Sequence, residues 1–180
     1  MKKIIILLAL VLFTISTTQA QKLKTRTGTI NFDGMVPTFE PVRAQNDATT
    51  CILDTKNGQI ASLILIRGFK FKVALMEEHF NENYMDSDKF PKATLKGTIE
   101  NFDYKSLSEN EKSVKINATL DLHGVAKDMV IDGKIKKIKG DILLTTDFGL
   151  SPEDFQIIIP GYVKTKIAKK IRVTTQFLLK

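Results

Sequence analysis

The chain has no tryptophan, one cysteine and two histidines in 180 residues, and each scarcity closes off a class of protein. The lone thiol, Cys51, makes no internal disulfide, so packing alone holds the fold and a small disulfide scaffold is excluded. Cys51 reads as a buried small hydrophobe rather than a reactive thiol. His79 and His123 are not an i, i+4 pair and no Cys or His cluster has zinc spacing; a two-histidine site with Glu78 or Glu82 is the weaker reading, so neither metal nor cofactor is expected. No Gly-rich phosphate loop precedes a helix, and there is no GxSxG elbow. Asp86 and Asp88 resemble a carboxylate couple, but with Ser87 between them they read as a turn in which Asp satisfies backbone donors. No catalytic residue is assigned. Internal repeats and low-complexity segments are also lacking.

What is present begins with a leader. Lys2 and Lys3 precede an apolar run from Ile4 to Phe13, and Thr18-Gln19-Ala20 offers small residues for cleavage, so residues 1–20 read as a secretory signal peptide. The run is about half of the roughly 20 residues that a membrane span needs. The expectation is therefore a periplasmic or secreted protein, cut near Ala20, whose remaining residues 21–180 form a single domain. Export disfavours nucleic acid as a partner. The net charge of +7 comes from short basic clusters, among them Lys134 to Lys139 and Lys164 to Arg172. Such clusters suit peripheral contact with an anionic membrane, but the favoured reading is that they keep strand exteriors wet and edges unpaired.

The body of the chain alternates. Gly28, Ile30 and Phe32 share one side of a first strand. A second strand is expected over Val42 to Leu53, with Val42, Ala44, Ala48 and Ile52 in register. Asn57-Gly58 signals a hairpin, because both residues tolerate positive φ. The next strand is expected to run from Gln59 to about Val73, with Leu63, Leu65, Phe69, Phe71 and Val73 on one face. Arg67 is then either a buried cation or turned out by a bulge at Gly68. Val114, Ile116, Ala118, Leu120 and Leu122 give the cleanest period-two run, and Met129 to Ile135 continue it after a turn at His123-Gly124. Further strands are expected at Ile142 to Phe148, at Phe155 to Ile159 and at Ile171 to Leu179, with a helical turn over Val163 to Lys169.

One stretch departs from this rhythm. In Leu75 to Gly97, the residues Leu75, Met76, His79, Phe80 and Tyr84 recur at three and four, with Glu77, Glu78 and Glu82 opposite. This predicts an amphipathic helix over about residues 74–85, ended near Phe90-Pro91. The fold class is all-β: an antiparallel barrel with one amphipathic helix and short helical turns, closure being favoured over a sandwich because it removes edges. Periodicity leaves open whether the interior is packed or hollow.

Three segments carry a resemblance. ALMEEHFNENYMDSDKFPKATLKGTI (Ala74 to Ile99), LDLHGVAKDMVIDGKI (Leu120 to Ile135) and LSPEDFQIIIP (Leu150 to Pro160) together resemble the YceI-like family of exported, lipocalin-like proteins. That resemblance implies a barrel whose elongated apolar cavity binds a long-chain amphiphile, a polyisoprenoid or isoprenoid quinone, and it brings no catalytic residues. The inward residues Phe69, Phe71, Leu95, Ile116, Leu120, Phe148, Ile157 and Ile159 would then line an apolar tunnel, with Met76, Phe80 and Tyr84 closing one end. His79, His123 and Lys127 are the candidates for a polar head group. The competing readings are a packed structural or interaction barrel without ligand and an enzyme acting on isoprenoids; a homodimer is left open.

Overall fold

Alternation along the chain becomes a closed sheet in the structure, a computed structural model that describes residues 22–36 and 42–180. The predicted leader and the irregular stretch at residues 37–41 lie outside the described residues. The strands are β1 (Lys22–Met35), β2 (Arg43–Asp54), β3 (Gln59–Leu65), β4 (Lys70–Phe71), β5 (Lys92–Ile99), β6 (Lys112–Leu122), β7 (Val125–Ile138), β8 (Asp141–Leu150) and β9 (Ile167–Leu179). All pairings are antiparallel, in the order β1-β9-β8-β7-β6-β5-β3-β2, and β2 pairs back onto β1. Eight strands thus close an all-β barrel, and two-residue β4 sits on β2 outside the circuit. Closure pairs the long strands over most of their length, while β7 lacks a β8 partner over residues 125–132, beside the 151–159 connection.

Tight turns set the two ends of this barrel apart. At the far end β2 turns into β3 through Asp54–Gly58, where Gly58 adopts φ +72° against the Phe102 ring, and β7 turns into β8 through Lys139 and Gly140. The other end collects residues 66–91, the His123-Gly124 turn and residues 151–166. His123 (φ +54°) and Gly124 (φ +76°) form the two-residue reversal that a right-twisted hairpin requires. A side chain at Gly124 would strike Phe90.

The structure reassigns several faces. In β1, Leu23 and Thr25 point inward and so do Gly28 and Ile30, with Arg26 and Thr27 both outside; in β2, Asp47 and Ala48 are both outside. These are two bulges, between Thr25 and Gly28 on β1 and between Asn46 and Thr49 on β2. The slip puts Thr49, Cys51 and Leu53 inside and turns Ala48 and Ile52 out, against the expected register. In β3 the inward set is Ile60, Ser62 and Ile64, and Leu63 and Leu65 are exposed. A 3-10 turn at Ile66–Gly68 breaks the long strand expected to Val73 and changes its parity, so that Phe69 is nonetheless buried. Arg67 is turned out and ion-paired with Asp88.

Two further elements differ from expectation. Phe155 to Ile159 is not a strand: a 3-10 turn at Pro152–Phe155 ends on left-handed Gln156, and the chain passes unpaired into α2 (Gly161–Lys164), while Ile167 to Lys169 already belong to β9. The helix predicted over residues 74–85 is α1 (Ala74–His79), followed by a π turn at Phe80–Tyr84. There the Asn81 side chain donates to the Glu77 carbonyl, and the Met85 N–H reaches Phe80 O at 2.9 Å. A side chain drawn into the ladder widens the turn. The widening carries Met85 into the core, and Leu75, expected on the apolar stripe, is exposed.

Candidate functional site

The interior is filled unevenly. Towards the far end Cys51, Leu53, Ile142, Leu144 and Leu179 are fully buried and Ile99 nearly so, and none of them borders open space. Over the other half a cavity of about 520 Å³ remains, bordered by Ile60, Ile116, Ile131 and Phe177 at its floor and by the connections at residues 66–91 and 151–166 at its top. Such a volume suits one small ligand. On β6 the lining runs from Ile116 to Leu122, about 20 Å along a strand and about 15 Å along the barrel axis once strand tilt is allowed for. Exposed His79 and Lys166 on the lining place the mouth at the helical end. The space is a blind pocket rather than a through-tunnel.

Its walls are apolar because inward and outward positions alternate along β5 to β8 and along β9 from Ile171 onwards. The polar side chains at mid-depth are Thr146 and Thr175, whose hydroxyls bond each other at 2.8 Å, and Ser62 on β3. The threonines satisfy each other, so hydrophobic contact is the main attraction available to a guest.

Aromatic side chains hold the cover down. Phe80 of the π turn packs on Phe32 (5.3 Å between centroids), Phe69 (5.7 Å) and Phe71 (5.1 Å), tying the lid to β1 and β4. A polar staple adds to this: Glu77 accepts from Lys70 Nζ at 2.6 Å and from the Phe71 N–H at 3.2 Å. The Lys70 bond holds the Glu77 carboxyl below its ordinary range, the Phe71 N–H adding to the effect. Tyr84 borders the cavity, and burial, together with neighbouring Tyr162, pushes its phenol up.

All eleven apolar residues assigned from the sequence border this cavity, and His79 stands at its exposed rim. His123 and Lys127 do not border it. His123 Nδ1 lies 3.1 Å from Phe155 O with its ring against Phe90, and Lys127 pairs with Asp154 at 2.6 Å, so both fasten the 151–159 connection to the β6–β7 turn. Sequence reasoning missed Ile30, Phe32, Ile60, Ile64, Ile131 and Phe177 as lining. Several of these lay on faces already read as inward; the missing information was how far down the barrel the filling stops. Among the described residues no group of three or more His, Cys, Asp or Glu side chains could hold a metal ion.

Comparison with known proteins agrees with this architecture. The YceI-like domain model matches residues 11–179. A polyisoprenoid binding domain from Saccharophagus degradans, implicated in plant cell wall breakdown, superposes with a TM-score of 0.75 at 15% identity, over 90% of this chain and 99% of its own. BcnA of Burkholderia cenocepacia gives 0.70 at 10% identity, over 85% and 96%. A YCEI protein of Campylobacter jejuni gives 0.59 at 16% identity, over 79% and 87%. No curated protein is matched. At these identities the structural likeness speaks to the fold, and it is the family model, spanning nearly the whole sequence, that makes this chain a member of the YceI-like family.

Proposed function

We propose that this protein is an exported lipid-binding protein that sequesters or carries a long-chain isoprenoid-type amphiphile, polyisoprenoid or isoprenoid quinone, in the barrel cavity. The observation that carries the reading is the blind, predominantly apolar pocket, open at one end beneath an aromatic-pinned lid. A pocket about 15 Å deep takes a chain about half as long as the roughly 30 Å apolar thickness of a bilayer. Each buried Å² of such a chain contributes about 25 cal/mol. A longer chain doubles back or leaves by the mouth, where its head group meets His79 and Lys166. The polyisoprenoid-binding description of the Saccharophagus degradans domain supports this class of guest. Export rests on the leader-like residues Met1 to Ala20.

The test is detergent-free purification from the native source, solvent extraction and mass spectrometry. An isoprenoid-type lipid near one per chain is expected. A clean protein that also takes up no added polyisoprenoid or quinone overturns the reading.

A further inference from the structure

The strip that forms one lip of the mouth has two faces of different chemistry. Ile157, Ile159 and Val163 line the cavity, while Ile158 and Tyr162 between them are each 81% exposed. From Phe155 to Lys180 the sequence holds no Asp or Glu, yet Lys164, Lys166, Lys169, Lys170 and Arg172 follow at close intervals. Glu153 pairs with Lys164 and Asp147 with Arg172; Lys166, Lys169 and Lys170 form no salt bridge among the described residues. The lid carries exposed Glu78 on α1 and Glu82 on the π turn, with exposed Lys72 just before α1. The rim is thus basic and apolar-tipped on the lip, and of mixed charge on the lid, where Glu77 and Asp88 are paired with Lys70 and Arg67.

We infer that this lip, Ile158 and Tyr162 flanked by Lys166, Lys169 and Lys170, docks on the surface of an anionic bilayer. An aromatic ring with a polar tip beside a bulky aliphatic residue suits the headgroup boundary, and adjacent lysines are attracted by the negative surface potential. The apolar tips and the lysines of the lip set the orientation: lip down, with the mouth at the boundary from which an apolar guest would enter. The inference concerns the partner at the mouth of the proposed lipid cavity and is tested apart from the cavity's contents.

Because the chain lacks tryptophan, Y162W places a single reporter at the contact. Its emission is followed on vesicles of phosphatidylethanolamine mixed with phosphatidylglycerol and on phosphatidylcholine alone. A blue shift is expected on the phosphatidylglycerol vesicles. Partitioning should fall about tenfold or more with Lys166→Glu and Lys169→Glu combined, and again at about 1 M salt, where the screening length is near 3 Å. Ile158→Asp, at a position outside the core, should weaken partitioning without changing extracted lipid. Absence of a shift on either vesicle, or an equal shift on both that ignores the lysines, overturns the inference. A shift that needs only added protein does so too, because it assigns the lip to a second copy. A protein that keeps its extracted lipid but ignores vesicles loses the docking alone, and one with an empty cavity that still partitions loses only the cavity reading.

Discussion

Single residues show how strongly this barrel depends on what is sealed at its far end. Burial pushes the Cys51 thiol from 9.0 up to about 12, with a backbone hydrogen bond from Ile52 opposing only in part. A thiol whose folded pKa is raised stabilises the fold fully below its unfolded value, and that contribution is lost as pH climbs towards the folded one. Urea unfolding should therefore show stability falling between pH 9.0 and about 12 in the native protein, by up to about 1.4 kcal/mol per unit. Cys51→Ala should remove that component of the slope, and an unchanged slope would count against a sealed far end. Asn46 is 1% exposed; its amide donates to Leu65 O at 3.0 Å, and its carbonyl accepts from the Ala48 N–H at 2.9 Å. It links the β2 bulge to the strand end before the 3-10 turn. Asn46→Ala strands two backbone groups and should cost about 2–3 kcal/mol, read as a lower urea midpoint at constant slope. A loss below about 0.5 kcal/mol would mean that water replaces both bonds.

At the scale of elements, the lid is lightly tied. α1 and the π turn contain no fully buried residue, and their hold on the barrel is Phe80 among three rings together with the Glu77 staple. Elements with so little buried surface open first. Phe80→Ala should lower stability by only about 1–2 kcal/mol, since the ring is half-buried, while speeding release of bound lipid to acceptor vesicles severalfold. An unchanged release rate would show that the guest leaves by some other opening. The amphipathic spacing in Leu75 to Tyr84 made the lid visible in the sequence, but not its π turn, because the widening depends on Asn81 reaching a specific carbonyl. The strand expected at Phe155 to Ile159 shows the complementary failure: its alternation is real, with Ile157 in and Ile158 out, but the 3-10 turn ending on left-handed Gln156 takes the chain out of extended geometry, and it joins no ladder although neighbouring β7 has no β8 partner over residues 125–132.

The whole molecule divides its interior between a packed floor and an open upper half, and stability and binding are coupled through that division. Lipid at about a hundredfold over its dissociation constant adds about 2.7 kcal/mol, so removing it should lower Tm by about 5–10 °C in a chain of this size. Leu120→Trp, which projects into the cavity, should keep the barrel's circular dichroism, abolish lipid uptake and remove the lipid-dependent part of Tm. A variant that still carries lipid would place the guest elsewhere. The floor of Leu53, Ile142, Leu144 and Leu179 is unaffected by either change, because it is closed with or without a guest.

By itself the sequence determined an all-β fold, the strands from β5 to β8 with the later part of β9, and the presence of a lid between β4 and β5, because period-two and period-3.6 patterns are local properties of the backbone. Tertiary structure alone decided which face of β2 and β3 turns inward, since a bulge is defined by the partner strand and one added residue reverses every side chain beyond it. It also decided that His123 and Lys127 fasten a loop outside the cavity lining, and that the hollow ends blind at Ile116 and Phe177. Filling is a matter of side-chain volumes summed across eight strands from distant parts of the chain, and no local pattern carries that sum.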